Sequence, residues 1–284
     1  MNEYVTFCEL KEYKGIPADQ AEDDARLRRA VQAASRAWDR WTWRRFYPLM
    51  ATRSYDHTEG QVLKLDDDLL EPLTVTTQNG AVTITPDQYY PMCGTSYDWL
   101  PYDRIVLRSD KGVCFSFSGS PQKANAVTGI WGYHPYYGDA WEYSGDAVKN
   151  AAGLTDSGTS LTVTDADGPD IYGLAPRFRT GHLIKIEDEI LYVRAVTGGG
   201  ANTLVVQRGF NGTTAAAHAK DKPVYIWRVW PDCWEAVREL AAYLYDLKDS
   251  QVYDVTATPE TGMMVIPKGV PAQVKLTVRA YRRY

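Results

Sequence analysis

The stretch DDARLRRAVQAASRAWDRWTWRRFYP, residues 23–48, carries the strongest helical pattern in the chain and decides the predicted fold. Its apolar residues recur at steps of three and four, which places them on one face of an α-helix. We predict a helix from about residue 19 to Pro48 at the latest, because proline offers no amide hydrogen and hinders the preceding turn. The face predicted to be buried consists of Leu27, Ala30, Val31, Ala34, Trp38 and Trp41.

Two further helices are predicted, one on each side of this stretch in the sequence. Thr6 and Glu9 form the TxxE pattern of a capping box, and Gly15 then ends a short helix over residues 7–14. Pro231 suits the first position of another helix, which continues to about residue 249 with apolar residues on one face.

The sequence between these helices changes to a period of two. Short strand-like runs occur between about residues 50 and 130, and TVTTQNGAVTIT, residues 74–85, predicts a hairpin with a type I′ turn at Asn79-Gly80. Residues 142–228 carry five more short β-branched runs separated by glycine-containing turns. This pattern predicts a small antiparallel barrel or sandwich.

The predicted fold class is therefore α+β, with a helical body interrupted by a β insertion. Residues 1–141 and 229–284 form the discontinuous helical domain with a short β region, and residues 142–228 form an inserted antiparallel β barrel or sandwich. Residues 263–284 are predicted to be an extended C-terminal tail.

Composition and charge exclude several classes of protein. Apolar residues make up 44% and charged residues 24% of the 284 residues, which excludes wholesale disorder. The net charge of −5 argues against a protein that grips the phosphate backbone over its whole surface. The first residues lack an export signal and no apolar run is long enough to span a bilayer, so we expect no membrane contact.

Opposite charges are concentrated at the two ends of the chain. Residues 1–25 hold seven acidic and two basic side chains, whereas residues 268–284 hold five basic and no acidic ones. This asymmetry favours complementary contacts between subunits or with a partner, although a solvated tail is the alternative. We expect the tail to be the main binding element, through Lys268, Lys275, Leu276, Val278, Arg279, Tyr281, Arg282 and Arg283.

Signatures of chemistry are missing from the sequence. There is no GxSxG, HExxH, GxxxxGK or GxGxxG motif, and the four histidines and four cysteines have no ligand spacing. The run Asp66-Asp67-Asp68 can in principle bind a hard cation, but a solvated turn is the favoured interpretation. We expect no enzyme activity, no cofactor and no metal.

Several motifs, taken in order, resemble one family. The helical stretch of residues 23–48 is followed by TRSYD (52–56), KLDDDLL (64–70), YDRIVLRSDKGVCFSF (102–117), VTGIWGY (127–133), the Pro231 helix and IPKGVPAQVKLTVRAYRRY (266–284). This order resembles the head-tail adaptor proteins of long-tailed bacteriophages, also called connector or head-completion proteins. Two departures are the long insertion after Gly132-Tyr133 and Trp43, which stands where the family usually has glycine before the paired arginines.

The resemblance implies a structural virion protein, assembled in the host cytoplasm and placed at the head-tail interface. It implies a homo-oligomeric ring, usually a dodecamer, between the portal protein and the tail-side stopper or tail-completion protein. Double-stranded DNA would pass through the ring without sequence-specific binding, and the tail would reach the portal. Our candidates for the contact between subunits are Glu22, Asp23, Asp24, Arg28, Arg36, Arg44 and Arg45.

A function of another class remains open. Aromatic residues make up 12% of the chain, and exposed Trp and Tyr side chains stack well on sugar rings. The alternative is therefore an aromatic-rich, carbohydrate-binding β module on a helical scaffold.

Overall fold

The computed structural model describes residues 2–247, 256–258, 263–265 and 269–283, and over these residues the chain is mostly β. Two antiparallel sheets of six strands each and a two-stranded ribbon are accompanied by four short helices. The expectation of a helical adaptor body is therefore wrong. The helices are α1 (Phe7–Lys14), α2 (Asp24–Thr42), α3 (Pro231–Asp246) and α4 (Ala272–Tyr281).

The four helices pack together around one apolar core. Leu27 and Trp38 of α2 are fully buried there, as are Val237 of α3 and Val274 of α4. The residues that line this core come from both ends of the chain, so the helices before and after the second sheet form one packed unit.

The first helix forms as its capping residues predict. The Thr6 side chain accepts a hydrogen bond from the Glu9 backbone N–H, and the Glu9 carboxylate accepts one from the Thr6 N–H at 2.6 Å. Gly15 follows in the left-handed conformation, with φ 67°. The predictions of helix 7–14 and of Pro231 as a first helical residue are both confirmed.

The second helix is shorter than predicted. It ends at Thr42, and Trp43 takes a left-handed conformation with φ 58° as the capping residue. Trp41 was predicted to belong to the buried face but is 37% exposed.

The first sheet has the order β1-β6-β2-β5-β4, with β3 paired to β2. The long strand β2 runs through the three aspartates and pairs with β5, β6 and β3. The six strands are β1 (Leu49–Tyr55), β2 (Val62–Thr77), β3 (Val82–Ile84), β4 (Tyr89–Met92), β5 (Tyr102–Leu107) and β6 (Asn125–Trp131).

The hairpin predicted at Asn79-Gly80 is present, but its loop is longer than a two-residue type I′ turn. Val75 pairs with Ile84 and Thr77 with Val82, which leaves four loop residues. The Asn79 side chain forms hydrogen bonds with the connecting segment of residues 118–122, and these bonds hold the wider loop in place.

The second sheet has the order β7-β12-β9-β10-β11-β8 and spans the insertion. Its apolar core is separate from that of the helices and includes Leu161, Ile184, Leu191 and Val224. Its strands are β7 (Trp141–Ala147), β8 (Ser160–Thr162), β9 (Leu183–Ile186), β10 (Glu189–Thr197), β11 (Thr203–Gln207) and β12 (Pro223–Trp227). The ribbon is β13 (Thr256–Thr258) with β14 (Met263–Val265).

A glycine allows the insertion to approach the first sheet. A Cβ at Gly212 would lie 2.1 Å from the Met50 carbonyl oxygen, and Gly212 has φ 81°. We expect Gly212→Ala to lower the free energy of unfolding by more than the about 1–2 kcal/mol that a left-handed alanine costs on its own. The matched control is Gly199→Ala, which has φ 64° and nothing within 4 Å of the added Cβ. Equal losses in the two variants, measured by chemical denaturation, would contradict this close approach.

Candidate functional site

The C-terminal segment is a helix where an extended tail was predicted. Helix α4 places Val274 in the helical core, where it is fully buried, and packs Val278 and Tyr281 against the same core. The spacing of these three residues gives one apolar face, so the expectation of an extended conformation over residues 272–281 is wrong. Lys268 lies outside the described residues.

The opposite face of α4 is basic and exposed, and we call it the basic helix face. Leu276 is 57% exposed at its centre. No ion pair within the described residues involves Lys275, Arg279 or Arg282. The basic helix face consists of Lys275, Leu276 and Arg279, and the exposed Arg282 follows at the residue where α4 ends.

Tyr281 fixes the end of α4 against the protein. Its hydroxyl donates to Asp232 Oδ2 at 2.5 Å and accepts from Trp230 Nε1 at 2.7 Å. Its ring lies 5.6 Å from the Tyr133 ring and 6.0 Å from the Phe46 ring, measured between centroids. Burial raises the pKa of the Tyr281 hydroxyl, and the Asp232 contact adds to the rise, so the hydroxyl stays protonated.

Arg283 continues this attachment beyond the helix. Its backbone N–H donates to the Thr42 carbonyl at 2.8 Å, and its Nη2 donates to the Leu65 carbonyl at 3.1 Å. Its Nη1 lies 3.6 Å from Asp67 and 3.4 Å from Asp68. Arg283 therefore binds the body of its own copy, whereas Arg282 beside it remains exposed.

The aspartates that Arg283 meets belong to a charged network, which we call the arginine–aspartate cluster. Its members are Arg44, Arg45, Arg53 and Arg283 with Asp66, Asp67 and Asp68.

Arg44 is the member that links this cluster to α4. Its Nη1 lies 2.6 Å from Asp68 Oδ2, and its Nε donates to the Tyr281 carbonyl at 2.8 Å. Burial raises the pKa of the Asp68 carboxyl, while Arg44 and Arg283 oppose that rise.

Sequence reasoning missed this partnership between distant residues. In the sequence, the pair Arg44-Arg45 and the run of three aspartates are short clusters of opposite charge. This complementarity is the signal that could have identified them as partners. Arg45 instead stood among the candidates for the contact between subunits, yet its Nη1 lies 2.6 Å from Asp67 of the same copy.

The other candidates for the subunit contact fall into two groups. Glu22 and Arg28 are exposed, and the Arg28 guanidinium lies 4.9 Å from the Phe7 ring centroid. Arg36 is partly buried and pairs with Asp39 at 3.0 Å.

Asp23 and Asp24 also have partners within the copy. The Tyr245 hydroxyl donates to Asp23 Oδ2 at 2.7 Å, and Asp24 pairs with Lys11. The exposed members of the predicted set are thus Glu22, which precedes α2, and Arg28, on the face of α2 that the helical core leaves to solvent.

Neither a metal-binding cluster nor a membrane-spanning helix is found among the described residues. There, no group of three or more His, Cys, Asp or Glu side chains is arranged to hold a metal ion. No described helix combines the length and apolar character needed to cross a bilayer.

Comparisons with known proteins add no relative. No protein-family model matches the chain, and no curated protein shows significant similarity to it.

Proposed function

We propose that the chain is a structural virion protein that forms a ring between the portal and the tail of a long-tailed bacteriophage. The ring, a dodecamer by resemblance, completes the head, passes the DNA and retains it. The order of the sequence motifs supports this assignment.

The observation that carries the proposal is the basic helix face of α4. A helix anchored from behind by Val274, Tyr281 and Arg283 presents its cations in fixed positions, which lowers the ordering cost of binding. Leu276 supplies an exposed apolar centre, with Lys275 and Arg279 beside it. This combination suits an acidic surface with an apolar pocket, and we assign that surface to the portal protein.

The net charge fits a DNA channel of this kind. A net charge of −5 gives the chain no overall excess of positive charge to hold phosphates, so double-stranded DNA would move through the ring without sequence-specific binding. The end of the ring away from the portal would meet the stopper or tail-completion protein.

The test reverses two charges of the basic helix face. Lys275→Glu combined with Arg279→Glu should weaken binding to purified portal rings by about a hundredfold or more, because like charges across an interface cost several kcal/mol. Both side chains are exposed, so the thermal unfolding temperature should stay unchanged. The measurement is co-sedimentation with portal at moderate ionic strength.

The matched control places the same charges elsewhere on the surface. Lys123→Glu with Lys220→Glu changes the net charge equally at two exposed positions, in the loops that precede β6 and β12. Portal binding that is lost in the control as well, or kept in both variants, would contradict the assignment of the basic helix face.

The carbohydrate-binding alternative has less support. Trp227 is the one tryptophan of residues 142–228, and it is 6% exposed because it packs against Trp141. The exposed aromatic residues of the insertion are tyrosines such as Tyr143 and Tyr172. Titrating glycans while following tryptophan fluorescence should give no saturable response.

A further inference from the structure

A cavity of about 490 Å³ lies between the end of α4 and the strands β2 and β5, and we call it the basic pocket. Its lining includes five basic side chains, although the chain as a whole has a net charge of −5. The five are Arg44, Lys64, Arg104, Arg282 and Arg283. A concave surface with this charge favours an acidic occupant.

Three of these cations already have a carboxylate partner in their own copy. Arg44 and Arg283 lie 2.6 and 3.4 Å from Asp68. Arg104 binds its neighbour in sequence, Asp103, through Nε at 2.7 Å and Nη2 at 3.1 Å. These pairs therefore leave two cations of the lining to account for.

The two remaining cations, Lys64 and Arg282, are exposed, and neither has an ion pair within the described residues. The position of Lys64 is also unfavourable inside its own copy. It stands directly opposite Arg104 in the pairing of β2 with β5. Like charges at opposed positions of a sheet repel each other, and a carboxylate bound in the basic pocket would offset that repulsion.

The same chain exposes two carboxylates that have no ion pair within its described residues. Asp19 and Glu22 are exposed in the stretch of residues 17–22, which we call the acidic segment. The nearly buried Lys11 holds its backbone from inside, because Lys11 Nζ donates to the Gln20 carbonyl at 2.7 Å. The acidic segment is therefore fixed in place before any partner arrives.

The acidic segment and the basic pocket lie at opposite ends of α2. The segment directly precedes that helix, which has 19 residues and is about 28 Å long. The pocket is attached at the other end, where the Arg283 backbone N–H donates to the Thr42 carbonyl at 2.8 Å. The acidic segment of a copy therefore does not reach the basic pocket of that copy.

We propose that Asp19 and Glu22 of one copy bind in the basic pocket of a neighbouring copy and pair with Lys64 and Arg282. The inference rests on the proposed ring and names the contact between its subunits. Two unpaired carboxylates meet two unpaired cations, and both surfaces are held in place beforehand, which lowers the ordering cost. The two surfaces differ, so the contact is head-to-tail, and a ring results when the rotation between neighbours closes.

The first experiment reverses each surface in the full chain and follows self-association by analytical ultracentrifugation over a range of concentrations. Asp19→Lys with Glu22→Lys changes the acidic segment, and Lys64→Glu with Arg282→Glu changes the basic pocket. Each pair should weaken self-association about a hundredfold or more, because like charges across an interface cost several kcal/mol.

Matched controls make the same charge changes at other exposed positions without an ion pair among the described residues. Glu59→Lys with Asp156→Lys matches the acidic reversal, and Lys123→Glu with Lys220→Glu matches the basic one. Both controls should associate like the parent chain. The single change Lys64→Glu should unfold at the same or a higher temperature, because it removes the like-charge pair with Arg104.

The second experiment restores complementarity in two ways. The two reversed variants, each defective alone, should associate when mixed, because the reversed pocket of one then faces the reversed segment of the other. A chain that carries all four substitutions should also associate with itself again. A general loss of folding would be restored by neither.

The outcomes separate this inference from the proposed function. A parent chain that stays monomeric, or a mixture and a fourfold variant that both stay dissociated, would overturn the contact. A basic-pocket reversal that keeps self-association but loses binding to portal rings or to DNA would overturn it too. The reversal of Lys275 and Arg279 decides portal binding independently, because neither residue lines the basic pocket.

Discussion

Replacing Glu189 with glutamine is expected to lower the free energy of unfolding of the second sheet by about 3–5 kcal/mol. Glu189 is 1% exposed, and its carboxylate binds Arg208 through two hydrogen bonds of 2.8 and 2.7 Å. It also accepts from the backbone N–H groups of Gly209 and Ala216 and contacts His218 Nε2 at 2.9 Å. The glutamine would leave the buried Arg208 without its counter-charge, and that loss dominates the expected effect.

The matched control is Glu187→Gln on the same histidine. Glu187 lies 2.8 Å from His218 Nδ1, but its side chain is 41% exposed, so its loss should cost at most about 1 kcal/mol. Urea denaturation of both variants measures the difference. Equal losses of unfolding free energy in the two variants would show that the contribution of the Glu189–Arg208 pair to stability does not depend on its burial.

The same carboxylate predicts how stability depends on pH. Burial alone would raise the pKa of Glu189, but Arg208, the two backbone N–H groups and His218 together lower it to about 2 from its ordinary value of 4.5. The folded chain therefore binds fewer protons than the unfolded chain between these values. The stabilisation is complete above about pH 4.5 and is lost as the pH falls towards about 2, and Glu189→Gln should flatten this part of the profile.

Asp68→Ala is expected to release the C-terminal helix from the body. The Asp68 side chain is 5% exposed and holds Arg44 and Arg283, which in turn bind the Tyr281 carbonyl and the Thr42 carbonyl. Without this carboxylate the partly buried Arg44 loses its only carboxylate partner among the described residues and Arg283 keeps only Asp67, at a cost of about 3 kcal/mol. Hydrogen exchange of the backbone amides in residues 272–283 should accelerate more than that of α2.

Asp66→Ala provides the control, because it removes a carboxylate from the same run of three aspartates. The Asp66 side chain is 66% exposed and pairs with Arg53 at 3.3 Å, so its loss should cost less than about 1 kcal/mol and leave exchange in α4 unchanged. If exchange in α4 stays slow in Asp68→Ala, the arginine–aspartate cluster does not hold the helix. If it accelerates, portal binding should weaken in the same variant, because the basic helix face loses its fixed orientation.

Local sequence signals predicted the parts of the fold that depend on neighbouring residues. The capping box at Thr6 and the first-turn proline at 231 define helix starts through contacts within a few residues, and both helices start there. The hairpin around Asn79 is local in the same sense.

The fold class could not be predicted in this way, because it depends on distant pairing. Three aspartates interrupt the alternation within β2, and the strand continues through them because Arg44, Arg45 and Arg53 neutralise their charges. A sequence pattern that does not include those partners predicts separate short strands in this region. It therefore underestimates the extent of the first sheet.

The C-terminal helix was missed for a related reason. Val274, Thr277 and Val278 are β-branched and favour extended structure locally. Packing of Val274 and Tyr281 on the helical core outweighs that preference. The candidate tail residues consequently divide between two roles, since Tyr281 and Arg283 attach the helix and Lys275 and Arg279 remain available to a partner.

The first and last strands of the insertion lie side by side, with Trp141 of β7 paired to Trp227 of β12. The chain thus leaves the rest of the protein and returns to it at neighbouring points. A different folded unit can replace the insertion without a change in the flanking elements, provided that its two ends are also adjacent. A short loop can replace it for the same reason. Related genes can therefore gain, lose or exchange this unit as a cassette during evolution while the rest of the protein stays unchanged.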